Sequence, residues 1–319
     1  LYSSAASDVH KRQVGKWLGY HYRQSFNKYS DPYSLDNLSS SLELAYVNLK
    51  ARPNLNFTIG KQFVNFGGYE YYVNSIRGRE FSEFNNLLTA YQAGISGKWQ
   101  VSPDHELLFQ IVNNRNGNDE DIYPTGLPEG TAKAKIPFMY TVNWNSYYLD
   151  KALQLRYATA VGQQTRKRYS YYFTCGNTYE KGPLLTYLDV MYTRQGIDQH
   201  GVVSRLPGTP HTAMNTEYLS IIGDVDYRVH PQWNVYVKGA YETARVYKSN
   251  GDFRKGMYRR SWNAQSSVEF FPFKQLDLFV FVLYTYRGVI LEKAARRMGA
   301  IEPDTHRISL GLVYSIPVF

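Results

Sequence analysis

Fourteen segments of this chain alternate between apolar and polar residues with the period of two that is typical of a β-strand, and no helical pattern separates them. They are 9–14 residues long, close to the 9–11 residues with which a tilted strand crosses a bilayer. The segments are 15–25, 41–50, 54–63, 88–99, 105–113, 138–146, 151–161, 168–178, 183–194, 216–228, 232–245, 259–270, 275–287 and 305–316. The series predicts an all-β chain.

The connections between these segments alternate strictly between short and long. Six are tight, such as "ARP", "VHP" and "FPFK", and several carry the Pro, Gly, Asn or Asp that turns require. The other seven are mostly long, as at 64–87, 114–137, 195–215 and 288–304. An outer-membrane barrel has short periplasmic turns and long outer loops, whereas a sandwich or propeller has no reason for this asymmetry. The spacing predicts one transmembrane antiparallel β-barrel over residues 14–319.

The two faces of the segments fit a barrel. In "QWNVYVKGAYE", Trp233 and Val237 lie on an apolar face, and Asn234 and Lys238 lie on a polar one. Trp233 and Tyr241 bracket the strand, and amphipathic aromatic rings favour the membrane–water interface. The apolar face is therefore predicted to contact lipid, and the polar face to line a wet lumen. A secreted soluble β protein also alternates and is the second interpretation.

Composition agrees with strands and excludes several classes of protein. The chain has 30 Tyr and 16 Phe, which prefer strands. Its net charge of +9 is scattered without a basic block, so no nucleic-acid partner is expected. The most apolar run, Leu276 to Tyr286, is interrupted by Asp277 and has about half of the ~20 residues of a spanning helix. The single Cys175 permits no intramolecular disulfide.

Both ends of the chain carry distinctive stretches. "SDVHKRQ" resembles the translation of a transposon-end sequencing adapter, so residues 1–13 are expected to be non-native, with an ordinary polar N-terminus as the alternative. The final Phe319 is an aromatic of the kind that the barrel-assembly machinery reads during insertion, and we predict that it is the insertion signal. It shares the parity of Arg307 and Ser315, and not that of the lipid-facing set.

The stretch "SSSLELAYVNLKARPNLNFTIGKQFVNFGGYEYYVNSIRGREFSEF" resembles the phosphate-selective porin family, most clearly over residues 40–85. The matching parts are "AYVNLK", then "TIGKQFVNFGGYE", which is similar to that family's Gly-x-Gln/Lys-aromatic-x-x-Phe-Gly-x-Glu pattern, and an Arg–Glu–Phe element at 79–81. The resemblance implies a Gram-negative outer-membrane channel of sixteen strands. It also implies passive diffusion of small hydrophilic solutes; the family's named solute is not carried over.

Candidate functional residues are charges near the lumen, because a channel acts through a field and a radius. Segment 64–87 is the candidate constriction, since it is longer than a hairpin needs. Its Arg77 and Arg79 either point at the pore or pair with Glu80 and Glu83 at a solvated rim. Parity places further basic candidates at Arg23, Arg156, Arg168, Lys238, Arg259, Arg287 and Arg307, and acidic ones at Asp189, Asp224, Asp226, Glu242, Glu269 and Asp277.

The outer stretch "LEKAARRMG" contributes Lys293, Arg296 and Arg297, which form either an anion funnel at the mouth or a solvated helix that faces lipid phosphates. No cofactor or metal is expected, because "NRNGNDEDIY" lacks the ligand spacing of an EF-hand. The expected partners are outer-membrane lipids, small hydrophilic or anionic solutes and the assembly machinery, with the chain monomeric or homotrimeric.

The sequence therefore predicts a porin with a weak anion preference, possessing no enzymatic activity. Two alternatives stay open. An outer-membrane hydrolase requires a histidine beside a nucleophile, for which "QHGVVS", with His200 and Ser204, offers only a weak coincidence. A non-conducting structural or secretion-partner barrel requires a plugged lumen.

Overall fold

The computed structural model of the chain describes residues 7–25, 42–73, 80–114, 122–123, 125–206 and 211–314. Arg77, Arg79 and Phe319, and the acidic stretch 118–121, lie outside the described residues. Among the helices of the described part, none has the length and apolar character needed to cross a membrane.

One antiparallel sheet holds fifteen strands, and each strand pairs with the next along the chain. The strands are β1 Ser7–Val14, β2 Leu18–Ser25, β3 Leu42–Arg52, β4 Leu55–Phe63, β5 Tyr91–Ser102, β6 His105–Asn113, β7 Phe138–Tyr148, β8 Leu153–Thr165, β9 Arg168–Lys181, β10 Leu184–Ile197, β11 Met214–His230, β12 Trp233–Val246, β13 Gly256–Phe270, β14 Leu278–Leu291 and β15 Thr305–Tyr314. A 3₁₀ turn at Glu70–Tyr72, a short helix α1 at Glu83–Asn86 and a short helix α2 at Lys293–Arg297 complete the elements.

The fourteen predicted segments are all strands, so the predicted all-β antiparallel architecture is confirmed. β1 is additional, and all of it except Val14 belongs to the N-terminal segment 1–13 that is expected to be non-native. Its pairing with β2 does not bear on the origin of that segment. Within the described residues β1 and β15 do not pair with each other, so the sheet is not closed. These two strands run in the same direction, and antiparallel closure therefore needs an even number of strands, such as the predicted sixteen.

The sheet is apolar outside and polar inside, the reverse of a soluble protein. On β12, Val237 is 53% exposed whereas Lys238 is 3% exposed. On β9, Phe173 is likewise exposed and Thr174 is buried. The predicted lipid-facing and lumen-facing sets are thus confirmed on these strands, because a bilayer solvates the outward apolar side chains that water would not.

Two rows of outward aromatic pairs mark the height of the apolar band. The rings of Trp233 and Phe270 lie 4.6 Å apart near the short-turn end, and those of Tyr241 and Trp262 lie 5.3 Å apart toward the long-loop end. Trp233 and Tyr241 belong to the same strand and are separated by about 27 Å of extended chain. This spacing agrees with the aromatic girdles of a membrane barrel.

One connection departs from the predicted alternation. β8 and β9 are joined at the long-loop end by only residues 166–167, because β8 continues to Thr165. The loop between β6 and β7 supports this extension: Lys133 forms a bridge with Thr165, and the Arg166 N–H donates to the Ala132 carbonyl at 2.9 Å. The strict alternation of short and long connections therefore does not hold here, since the extra strand length is stabilised by a neighbouring loop that periodicity does not reveal.

Candidate functional site

Residues 64–73 and 80–90, together called the lumen segment below, lie against the concave interior of the sheet. At one end the Asn65 N–H donates to Gln110 Oε1 of β6 at 2.9 Å. In the middle the segment meets Asp189 of β10, and farther on Glu80 forms an ion pair with Arg307 of β15. The lumen segment therefore contacts strands on different parts of the interior wall.

The segment turns inward at two glycines with left-handed backbone. Gly67 and Gly68 have φ values of +75° and +76°, which side chains other than glycine adopt only with strain. The facing strands, β8 and β9, have small residues at the points of contact. A Cβ on Gly176 of β9 would stand 2.6 Å from Gly68 Cα, and one on Gly67 would stand 2.7 Å from the Ala158 Cβ. The backbone of the turn thus rests directly on β8 and β9.

Asp189 fixes the 3₁₀ turn that follows. Its Oδ2 accepts hydrogen bonds from the N–H groups of Tyr69 and Glu70, both at 2.8 Å. A carboxylate suits this position because the first N–H groups of a helical turn have no partner within the turn. Sequence parity placed Asp189 in the lumen, and the structure makes it an anchor of the lumen segment.

Glu70 itself is the centre of a buried cluster. It forms an ion pair with Lys238 of β12, and it accepts hydrogen bonds from the Ser82 N–H and Oγ at 2.9 and 2.5 Å and from Asn85. Lys238 Nζ also donates to the Glu80 carbonyl at 2.6 Å. The two halves of the lumen segment are therefore tied to each other and to β12 through one carboxylate.

A second carboxylate caps helix α1. Glu242 of β12 accepts from the Phe84 N–H at 2.9 Å and from the Glu83 N–H at 3.1 Å. Ser220 of β11 donates to the same carboxylate at 3.0 Å and orients it. Asp189 and Glu242 thus act alike, each holding unpaired backbone N–H groups of the segment against the wall.

Four charges at the far wall form what we call the Arg–Glu ring: Glu83, Arg259, Arg287 and Glu302. Arg259 contacts Glu83 at 2.5 Å and Glu302 at 2.9 Å. Arg287 contacts the same two carboxylates at 3.0 and 3.1 Å. Because Glu302 belongs to the loop between β14 and β15, the ring connects that outer loop to the lumen segment through β13 and β14.

Aromatic rings fill the other side of the segment. Phe66 lies 4.9 Å from Tyr172, and Tyr69 lies 4.9 Å from Tyr187, measured between ring centroids. The guanidinium of Arg156 stands over Tyr69 and Tyr72 at 5.7 and 5.6 Å. Arg156 is half-buried, and among the described residues no carboxylate lies at ion-pair distance from it. Its charge is held by aromatic faces and is not cancelled by direct contact.

The loop between β10 and β11 also folds inward and packs on α1. His200 is buried between the rings of Phe84 and Tyr218, each 5.0 Å away. Burial lowers the pKa of His200 to about 3, and Arg205 acts in the same direction. Ser204 Oγ donates to Asp198 Oδ2 at 2.7 Å and accepts from the Ala213 N–H at 2.8 Å. Ser204 is thus part of a hydrogen-bond network with Asp198 and Ala213 within this loop.

Five further predicted residues lie in three places. Asp224 is buried opposite Lys238 on the neighbouring strand. Arg168 donates to Asn215 Oδ1 at 3.0 Å near the long-loop end, away from the lumen segment. The three basic residues of the outer stretch, Lys293, Arg296 and Arg297, are exposed on helix α2.

Sequence reasoning missed the roles of Glu70 and Glu302. Their partners are distant in the chain: Lys238 is 168 residues from Glu70. The signal available in the sequence was a cluster of glutamates in a long loop, together with arginines predicted to face the lumen. This signal does not specify which glutamate pairs with which cation.

A meander of membrane-length strands with an apolar outside, a charged interior and an inward-folded segment defines an outer-membrane porin. The chain belongs to the family described as phosphate-selective porin O and P, whose model matches residues 8–316. The resemblance noted over residues 40–85 is therefore confirmed along nearly the whole chain.

Solved outer-membrane channels have the same fold. The outer membrane channel DcaP of Acinetobacter baumannii is 13% identical with a TM-score of 0.62, and the match covers 97% of this chain and 84% of that one. The anion-selective porin from Comamonas acidovorans is 10% identical with a TM-score of 0.56, covering 95% and 86%. In-vitro folded OmpT of Vibrio cholerae, in its trimer form, is 12% identical with a TM-score of 0.53, covering 96% and 87%. No curated protein matches the chain significantly.

Family and fold together locate the protein in the bacterial outer membrane, where it forms a passive diffusion channel. The family is one of channels. The short turns then face the periplasm and the long loops face outside.

Proposed function

We propose that the channel passes small hydrophilic solutes with a weak preference for anions, and that the lumen segment sets its narrowest point. Arg156 carries the proposal, because it is a lumen arginine whose charge has no carboxylate in contact among the described residues. The other lumen cations that the structure describes in ion pairs are Arg23, Lys98, Lys238, Arg259, Arg287 and Arg307. An arginine that contacts the lumen segment and has no carboxylate beside it supports a modest preference, and Arg77 and Arg79 are proposed to add to it.

The paired charges also act on the solute. Lumen-segment glutamates face wall arginines, so the field runs across the channel at the segment. Such a field orders water and disfavours apolar solutes, while it discriminates little between anions and cations. Charges on outer loops, including Lys293, Arg296 and Arg297, are screened within about 8 Å at physiological ionic strength. Selectivity is therefore assigned to charges beside the lumen segment.

Reversal potential in a planar bilayer under a KCl gradient tests the proposal. The wild-type channel is expected to conduct steadily and to reverse toward the chloride potential, and Arg156→Gln is expected to move the reversal potential toward zero. Arg168→Gln removes the same charge near the outer rim and should leave the potential nearly unchanged. A folded protein that passes no current would contradict the channel, and an unchanged potential in Arg156→Gln would contradict the role of Arg156.

We further propose that the protein is a homotrimer without enzymatic activity. The trimer form of a structurally similar porin and the outward apolar face support assembly. Mass measurement of the folded protein in detergent tests the number of subunits. A monomeric mass would contradict the trimer, and lipid or peptide hydrolysis that is lost in His200→Ala would contradict the absence of enzymatic activity.

A further inference from the structure

Three arginines face outward at the outer ends of neighbouring strands. They are Arg194 of β10, Arg245 of β12 and Arg260 of β13, and we call them the arginine row. In the sheet Arg194 pairs with Glu217 of β11, which pairs in turn with Arg245. Arg260 is opposite Thr243, on the same outward face as Arg245.

The neighbours of each arginine show that the row points away from the lumen. Thr193 and Gln195 flank Arg194 and are completely buried. The side chains of Arg245 and Arg260 are 40% and 42% exposed. The residues beside them, Ala244 and Arg259, are each 3% exposed. Alternation along a strand sends successive side chains to opposite faces, so the row lies on the lipid-facing surface.

The row lies just beyond the outer aromatic girdle. On β10, Tyr192 is two residues nearer the middle of the strand than Arg194, and on β13, Trp262 is two residues from Arg260. Two residues of strand correspond to about 7 Å. Because Tyr and Trp mark the membrane–water interface, the arginines stand at the depth of the outer-leaflet headgroups.

Each guanidinium is held in place while part of its hydrogen-bonding edge stays available. The Arg194 guanidinium lies 3.7 Å from the centroid of the Tyr247 ring. Arg245 Nη1 contacts Glu217 Oε1 at 3.2 Å, and Arg260 Nη2 contacts Glu292 Oε1 at 3.0 Å. Arginine has five N–H donors in a planar fork that fits phosphate oxygens in pairs. With three arginines and two glutamates, the row keeps one net positive charge.

Further basic residues lie close to the row. Exposed Lys248 and Lys293 follow the row in the adjoining loops. At the corresponding outer ends of β6 and β7, the outward residues Ile111, Phe138 and Tyr140 carry no charge.

We propose that the arginine row binds the phosphorylated headgroup of a lipid in the outer leaflet. The depth, the outward direction and the positive charge of the row all match a phosphate that is attached to a membrane lipid. A soluble anion would not require a site at the depth of the headgroups. The site is separate from the channel and does not depend on its selectivity.

Lipid binding by the folded protein tests the proposal. The protein is refolded without lipid, mixed with lipid A that carries or lacks its phosphates, and weighed by native mass spectrometry. The wild type is expected to retain phosphorylated lipid at least about tenfold better than the dephosphorylated form. The triple variant Arg194→Gln/Arg245→Gln/Arg260→Gln should lose this difference, whereas Lys293→Gln/Arg296→Gln/Arg297→Gln, with the same change of charge on helix α2, should keep it.

Several results would overturn the proposal. They are equal binding of the two lipid forms, equal loss in both triple variants, displacement of the lipid by excess inorganic phosphate, and dissociation of an oligomer in the row variant alone. The first two indicate nonspecific attraction, the third a site for free phosphate, and the fourth a contact between subunits. If the triple variant does not refold, Arg194→Gln takes its place, because Arg194 is held by an aromatic ring and leaves no carboxylate unpaired.

Discussion

Lys238 of β12 forms an ion pair with Glu70 of the lumen segment, and the two side chains are only 3% and 2% exposed. Removing two charges from water costs free energy, which their mutual attraction offsets. If one partner is removed, the other charge stays buried without this compensation. The position of the lumen segment therefore depends on completing this pair.

Replacing Lys238 with Met tests that dependence. The substitution leaves a buried carboxylate without its cation, and we expect a loss of about 3–5 kcal/mol in the free energy of unfolding. Denaturant unfolding followed on semi-native gels measures it. The double variant Glu70→Gln/Lys238→Met should recover part of the loss, because no charge then remains unpaired. Equal stability of the single and double variants would show that the pair does not position the segment.

Neutralising Glu302 should make the channel more anion-selective. In Glu302→Gln the Arg–Glu ring changes from zero net charge to +1, while Arg287 is 36% exposed and adjoins the lumen. The expected reversal potential under a KCl gradient moves toward the chloride value, with more current noise from a less firmly held segment. Glu292→Gln is the matched control, since Glu292 pairs with Arg260 on the outward face. A similar shift in both variants would exclude the ring as its cause.

Adding a methyl group at Gly176 should displace the turn of the lumen segment. The new Cβ would stand 2.6 Å from Gly68 Cα and 2.9 Å from Asp189 Oδ1, so the turn must move away from β9 into the channel. We expect a lower single-channel conductance and a stability loss of about 1–3 kcal/mol. Gly239→Ala, where nothing lies within 4 Å of the added Cβ, should match the wild type. Unchanged conductance in Gly176→Ala would contradict the close contact.

Acid should weaken the packing around His200. Its pKa is about 3 in the folded protein against an ordinary value of 6.5, so the unfolded chain binds more protons between these pH values. The free energy of unfolding is therefore expected to fall as the pH drops below about 6.5 and to keep falling toward pH 3. His200→Gln should show a smaller loss between pH 7 and pH 4. The same loss in both proteins would assign the acid sensitivity to other groups.

Periodicity predicted the strands well because one face of each strand contacts lipid and the other faces the polar interior. Apolar and polar residues therefore alternate along the strand. It correctly separated Val237 from Lys238. Periodicity did not predict the roles of Lys238 and Asp189. A side chain that faces a wet lumen and one that binds an inward-folded loop are both polar, so the pattern is the same in the two cases. Whether Asp189 faces water or the Tyr69 N–H depends on a segment 120 residues away.

The contacts that hold the lumen segment also order the assembly of the protein. Glu83 lies 204 residues before Arg287, and Phe84 lies 158 residues before Glu242, so these contacts form only after most of the sheet has curled around the segment. Long closures of this kind form late in folding. We therefore expect the bore of the channel to be set late in folding, and substitutions at these anchors to speed unfolding more than they slow insertion.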